Sequence, residues 1–217
     1  MHATLRRCAV VTSILLMFGL SGSAVGALSM ADAVTGATLE SGGLLFSDFQ
    51  IAITGDLSSD LDDYAILGAG SGITLTGDIT QVFGESGTLT LSYQVSVLDA
   101  SQSITAALLS FDGQALGPGA YAFVTEGVTD AGFASLGSLL VYDFGAGGSQ
   151  GSDGVGFANQ TTLNVTETIQ LDAETLGALL ATGGSIQQQF TVVPEPRSLA
   201  SVCLGLIGLG VAGRKRG

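Results

Sequence analysis

Apolar residues recur at every second position over much of the chain between Leu45 and Val193, the alternation of strands that bury one face and wet the other. Leu45, Ser47, Phe49, Ile51 and Ile53 fall on one face around Asp48 and predict an early strand. Ile73–Thr76 and Thr88–Leu98 alternate more regularly, and Gly84–Gly87, reading GESG, is a turn signal between them. Further strands are predicted at Ile104–Phe111, Tyr121–Thr125, Leu136–Phe144, Thr162–Leu171 and Ile186–Val193. Short strands separated by Gly-rich breaks predict an all-β fold, an antiparallel β-sandwich of jelly-roll or immunoglobulin-like kind. Asp172–Leu180 has helical character, with Asp172 as its cap and a stop near Gly183. Gly145–Gly154 reads as a flexible low-complexity loop, either a long hairpin connection or an exposed excursion, because strand-like sequence resumes at Phe157. No sustained repeat is present, which argues against a solenoid.

Both ends depart from this pattern. MHATLRR, the apolar run Cys8–Leu20 and the small residues SGSAVGA follow the order of a secretory signal peptide, so residues 1–27 are expected to engage the Sec machinery and signal peptidase, with cleavage after Ala27. Cys8 directly follows Arg7 and precedes the apolar core, which is not the place of a lipoprotein acceptor. At the other end Leu199–Gly213 is apolar, short against the roughly 20 residues of a usual span but workable with bilayer thinning or snorkelling. Arg214, Lys215 and Arg216 form a positive stop that should stay cytoplasmic, leaving the body outside. The expected organisation is a signal peptide over 1–27, an acidic β-sandwich domain over 28–192 and a tail over 193–217 with a transmembrane segment at 199–213.

Pro194-Glu195-Pro196, a short apolar helix and a terminal basic cluster, in that order at the C-terminal end, resemble the PEP-CTERM sorting tail of exported bacterial proteins. The resemblance covers about 24 residues, from Val193 to Arg216. It implies recognition and processing by an exosortase, and it identifies sorting rather than activity, since the same tail occurs on unrelated bodies. Each proline fixes its own φ and biases its predecessor away from helix, so the motif is expected to be a rigid extended element outside the membrane. The implied route is export, a transient stay anchored in the inner membrane, then the cell surface or the extracellular matrix.

Charge narrows the chemistry. No Lys, Arg or His lies between Cys8 and Pro196, whereas all 19 Asp and Glu residues do. A body of one sign resists nucleic acid and anionic membranes and tolerates divalent cations, and it should gain stability from salt. Without His the body lacks the usual general base and the commonest metal ligand; without Lys or Arg it lacks phosphate clamps and Schiff-base chemistry. Cys8 and Cys203 both lie in the export segments, so the body holds no disulfide or thiolate nucleophile. The Gly-rich loop has no GK[ST] and no lysine within reach, which argues against a nucleotide site. No catalytic residue emerges from the sequence.

Asp56, Asp60, Asp62 and Asp63 place four carboxylates within eight residues, either oxygen ligands for Ca²⁺ or a solvated turn. Asp143 and Asp153, flanking the Gly-rich loop, make a second candidate. Thr74/Thr76, Thr88/Thr90 and Thr166/Thr168 each project from one face of a strand, as ordinary β-formers or as an ordered hydroxyl surface for ice or another ligand. Asn159-Gln-Thr and Asn164-Val-Thr fit the glycosylation pattern, which in a bacterial setting usually has no meaning. The expected function is a non-enzymatic exported surface or matrix protein, with Ca²⁺-assisted adhesion or polysaccharide association. The alternatives are an ice- or ligand-binding module and a carboxylate-based glycoside hydrolase, the last weakened by the absence of Trp and the presence of only four Tyr.

Overall fold

The computed structural model describes residues 26–174 and 180–195. The expected signal segment up to Val25, and the tail from Pro196 through Arg214, Lys215 and Arg216, lie outside the described residues. Along the chain run β1 (Ala27–Ser29), helix α1 (Met30–Val34), β2 (Leu39–Ser41), β3 (Leu44–Gly55), a 3-10 turn (Leu61–Asp63), β4 (Tyr64–Ala69), β5 (Gly72–Gly77) and β6 (Thr80–Val82). There follow β7 (Ser86–Val97), β8 (Gln102–Phe111), β9 (Gln114–Leu116), β10 (Tyr121–Asp130), β11 (Ser135–Asp143) and a second 3-10 turn (Gly145–Gly147). The last strands are β12 (Ser149–Gln150), β13 (Ser152–Gln160), β14 (Thr162–Asp172), β15 (Leu180–Thr182) and β16 (Ile186–Pro194).

All the described pairings are antiparallel. One sheet has the order β1-β4-β5-β16-β8-β13, a second the order β12-β11-β10-β14-β7-β3-β2, and β6-β15-β9 form a small third sheet. The two large sheets face each other. In the seven-stranded sheet, Leu89, Leu91, Tyr93 and Val95 of β7 and Leu163, Val165, Ile169 and Leu171 of β14 are buried on the inner side. They meet Ile73, Leu75, Ile104, Leu109, Ile186 and Phe190 of the six-stranded sheet in one core cluster. Phe46 of β3 and Phe190 of β16 bring ring centroids within 6.1 Å across the gap. Period-two alternation thus does what the sequence leads one to expect, since each strand places every second side chain between the sheets.

Two glycines carry local geometry. Gly42 and Gly43 form the two-residue turn between β2 and β3 with φ of 56° and 83°, the positive pair that a tight hairpin requires. Gly72 lies where β5 passes β16 so closely that a Cβ would stand 1.9 Å from the Gln188 carbonyl oxygen.

The structure revises several sequence expectations. In β3, Leu44 and Phe46 point inward, the register then shifts between Ser47 and Gln50, and Phe49, Ile51 and Ile53 follow on the inner side. Asp48 sits in this bulge with φ of 56°. Leu45 and Ser47 therefore face away from the core, because the extra residue reverses the phase of the alternation. The GESG stretch is not a single turn: β6 precedes it, and its Ser86 and Gly87 already belong to β7. The helix expected over Asp172–Leu180 is not borne out at its ends, since Asp172 closes β14 and Leu180 opens β15; residues 175–179 between them lie outside the described part. The described α-helix is α1, capped by Ser29, whose hydroxyl accepts the Asp32 N–H at 3.1 Å. The Gly-rich stretch is a connection from one sheet to the other, through β12 on the edge of the seven-stranded sheet and β13 on the edge of the six-stranded one.

β16 lies between β5 and β8 inside the six-stranded sheet, and its last residue is Pro194. Pro194 is paired in register with Gln102, and the Glu195 N–H donates to the Ser101 carbonyl at 2.7 Å. The first two residues of the PEP tripeptide are thus tied to the turn before β8. β1 begins at Ala27, the residue after which cleavage is expected, and pairs with β4. Among the described residues no helix is long and apolar enough to cross a membrane.

Gly72→Ala is expected to lower stability by about 1–3 kcal/mol or more, the cost of forcing atoms into a filled site. Gly127→Ala, whose Cβ would have its nearest neighbour at 4.0 Å, should stay within roughly 0.5 kcal/mol of the parent. Denaturant melts of the two variants check this, and equal stabilities would contradict the close packing of β5 on β16.

Candidate binding face

The outer side of the seven-stranded sheet is where the polar phase of the alternation accumulates. Register places Thr54, Thr88, Gln170, Phe123 and Tyr142 side by side across β3, β7, β14, β10 and β11. The next row along is Ala52, Thr90, Thr168, Thr125 and Leu140, and the next is Gln50, Ser92, Thr166, Gly127 and Ser138. Neighbours in a row stand roughly 4.8 Å apart, and successive rows about 6.8 Å. Hydroxyls pair across the strands, Thr90 with Thr168 at 3.4 Å and Ser92 with Thr166 at 3.1 Å, and the Gln94 amide donates to Asn164 Oδ1 at 3.3 Å. Two of the three threonine pairs singled out in the sequence therefore fall on neighbouring strands of one face, while Thr74 and Thr76 lie on β5 of the other sheet.

At one side of this polar field stands an aromatic group. Tyr121 and Phe123 project outward from β10, Tyr142 from β11, and Phe144 follows β11 directly. Tyr142 and Phe144 are stacked with centroids 4.7 Å apart, Tyr121 and Phe123 lie 5.6 Å apart, and Phe144 is 41% exposed. Aromatic side chains in the solvent phase of two adjacent strands form a broad apolar platform whose faces can stack on a flat ligand. In the six-stranded sheet, by contrast, Tyr64, Phe111 and Phe190 are buried and Phe157 packs against the core.

Two clefts open on the polar face. One is lined by Thr54, Thr88, Tyr121, Gln170 and Asp172. The other is lined by Asp48, Gln50, Ser92, Gln94, Asn164 and Phe133, the last 76% exposed at a positive φ of 64°. The first lies at the start of β7 and the end of β14, the second beside the middle of β7 and the start of β14. On β7 Thr88 of the first cleft is four residues from Ser92 and six from Gln94 of the second, so the clefts are separated by roughly 13–20 Å.

The four aspartates of the first candidate metal site are all exposed, in and after the turn that follows β3. Asp56 accepts the Ser86 N–H at 3.1 Å, Asp60 accepts the Asp62 N–H at 3.1 Å as a 3-10 cap, and Asp63 accepts the Ser58 hydroxyl. Asp62 lies in the first turn of that 3-10 helix. Asp143 accepts the Gly145 N–H at 2.6 Å, and Asp153 accepts those of Leu140 and Gly154, each at 2.9 Å. Among the described residues no group of three or more His, Cys, Asp or Glu side chains is placed to hold a metal ion.

A feature not anticipated from the sequence lies inside the sandwich. Glu126 of β10 and Glu167 of β14 are direct cross-strand partners, 1% and 2% exposed. Among the described residues, both oxygens of Glu126, one of Glu167 and the hydroxyl of the buried Tyr93 have no hydrogen-bond partner. Burial drives both carboxyl groups above the ordinary range, Glu167 to about 7, and the charge of Glu167 adds to the rise at Glu126. Burial and then these two acids push the Tyr93 phenol well up. The signal was present in the sequence: each glutamate occupies the inward phase of its strand, between Val124 and Val128 and between Val165 and Ile169. The pair lines neither cleft on the polar face.

No family model matches the chain, and no curated protein matches it. Among solved structures it is similar to a carbohydrate-binding module, TmCBM61, solved in complex with β-1,4-galactotriose: 11% identity, TM-score 0.34, covering 67% of this chain and 88% of that one. It is also similar to a CBM4 module at 8% identity and TM-score 0.28, covering 68% of this chain and 86% of that one. A third likeness is to the enzymatically active domain of bacteriophage CBA120 tailspike protein 4, at 8% identity and TM-score 0.26, covering 69% of this chain and 19% of that one.

The buried pair sets a pH dependence. Folded-state values raised above the unfolded ones mean that the native state holds more protons, so stability is greatest at or below the ordinary carboxylate value and falls as pH rises through about 7. For Glu167 alone the loss is on the order of 3 kcal/mol. Thermal melts across this range should show a falling midpoint, and a Glu126→Gln/Glu167→Gln double variant should show a much flatter profile. A midpoint that rises with pH in the parent protein would contradict the assignment.

Proposed function

We propose that this is an exported, non-enzymatic protein of the cell surface or extracellular matrix that associates with polysaccharide through the outer face of its seven-stranded sheet. The observation that carries this is the combination on one face of a hydroxyl and amide field with a four-ring aromatic group. Hydroxyls and carboxamides both donate and accept, which matches the hydroxyls of a sugar chain, and aromatic faces pack on the apolar faces of sugar rings. The reading is non-catalytic because the face gathers no nucleophile, base and acid. Glu126 and Glu167, the carboxylates brought side by side, are sealed in the core.

Retention on insoluble polysaccharides tests the binding face. The parent chain should be retained, and Phe123→Ala/Tyr142→Ala should weaken retention about tenfold or more, the equivalent of about 1.4 kcal/mol. Equal retention of the two would remove the aromatic group from the account.

Sorting belongs to the same proposal. Pro194, Glu195, Pro196 and the cluster Arg214, Lys215 and Arg216 serve as the recognition tail for an exosortase, after export by the Sec machinery and signal peptidase. The described part supports a defined starting point for that tail, because Pro194 ends a central strand and Glu195 is hydrogen-bonded to Ser101. Intact mass from hosts with and without exosortase should show loss of the segment after the motif only where the enzyme is present. An unchanged C terminus in both would make the tail a plain anchor.

A second reading has its own observation. Thr90, Thr168 and Thr125 form an unbroken row of three across β7, β14 and β10, the kind of regular hydroxyl spacing that can order ice-like water. Gln170, Gln94 and the aromatic group interrupt the array above and below it, which favours the sugar reading. A thermal-hysteresis measurement separates them: activity lost in Thr90→Val/Thr168→Val would establish the ice surface.

A further inference from the structure

Resting on the polysaccharide reading, we propose that the face takes an uncharged chain, without metal, laid along β7 and β14 from the cleft beside Tyr121 to the cleft beside Phe133. Charge is the first ground. Across the rows from Thr54 to Tyr142 and from Gln50 to Ser138 there is no carboxylate, and no basic residue exists anywhere in the body. The acids near this path stand at its ends, Asp172 in one cleft and Asp48 in the other. A uronate or sulfated chain would meet a wholly negative body with nothing to offset the repulsion, while an uncharged chain meets an uncharged track.

The second ground is the absence of the bridge that an acidic chain would need. Among the described residues no three acidic side chains converge, and Asp56, Asp60 and Asp63 accept instead from the Ser86 N–H, the Asp62 N–H and the Ser58 hydroxyl. Calcium bridging to an anionic polymer thus lacks a gathered ligand set in this conformation, whereas direct hydrogen bonding does not require one.

The third ground is the shape of the track. It runs over the Thr90–Thr168 and Ser92–Thr166 hydroxyl pairs, with an aromatic ring at each end, Tyr121 and the exposed Phe133. Both clefts belong to the same two central strands, so a linear chain reaching from one to the other gains from both at once. Oligosaccharides too short to span the roughly 13–20 Å between them should bind more weakly than longer ones.

The test is titration calorimetry of the purified full chain against three soluble polymers: a neutral β-glucan, a polyuronate with Ca²⁺ or with chelator, and a glucosamine polymer bearing free amines. The expected result is binding to the neutral chain, unchanged by chelator and little changed by salt, strengthening with oligomer length. Gln170→Ala/Gln50→Ala, one change in each cleft, should weaken it about tenfold and flatten the length dependence. Binding only to the polyuronate, and only with Ca²⁺, would overturn this inference and leave polysaccharide association standing. Binding only to the aminated chain with steep salt sensitivity would do the same. Binding to none of the three would sink the polysaccharide reading itself.

Discussion

Among the described residues no carboxylate has a cationic partner, because that stretch of the chain contains no Lys, Arg or His. Ion pairing between the described residues therefore contributes nothing to the sandwich, and the fold rests on apolar side chains buried between two antiparallel sheets. The consequence is most acute at Glu126 and Glu167. Two ionised carboxylates side by side in a core without a counter-charge would be prohibitively costly, so the native state favours protonated forms there. The same lack of cations leaves the acids that remain, such as Asp48, Asp60 and Asp172, in loops, bulges and strand ends, where water or backbone N–H groups can reach them.

The constraint also shapes the outer surface. A sheet that cannot use Lys or Arg to keep its exposed phase soluble relies on Thr, Ser, Gln and Asn, which are good β-formers or strong hydrogen-bonding groups without charge. Placed in register over five strands, they produce a flat field of donors and acceptors. Against that background, Tyr121, Phe123, Tyr142 and Phe144 stand out because they occupy positions where burial does not explain them. The polar field and the aromatic group share one face, and this juxtaposition is what directs attention to a sugar polymer rather than to a protein or nucleic-acid partner.

Much of the fold was legible in the sequence, and the failures have physical causes. The alternations at Thr88–Leu98, Thr162–Leu171 and Ile186–Val193 matched β7, β14 and β16 because these strands lie inside their sheets and bury one regular phase. The face assigned to Leu45 and Ser47 was wrong because a bulge at Asp48 switches the phase, and a bulge leaves little trace in a single sequence. β4 was missed because Ala, Gly and Leu at Tyr64–Ala69 blur the contrast between its faces, and β13 because it begins within a Gly-rich run. The Thr pairs were visible but not their alignment, since register between strands distant in sequence is a tertiary property. The aspartate cluster was visible as proximity along the chain, which does not translate into convergence of side chains in space.

The most direct measurement of the central claim is an amide chemical-shift map of the isotopically labelled protein during titration with a soluble neutral oligosaccharide. The account predicts shifts confined to β3, β7, β14, β10, β11 and the turn between the last two, centred on Thr88, Thr90, Thr168 and Gln170 and extending to Phe123, Tyr142 and Phe133. Shifts on the outer side of β5, β16 and β8, with the seven-stranded sheet unmoved, would contradict it.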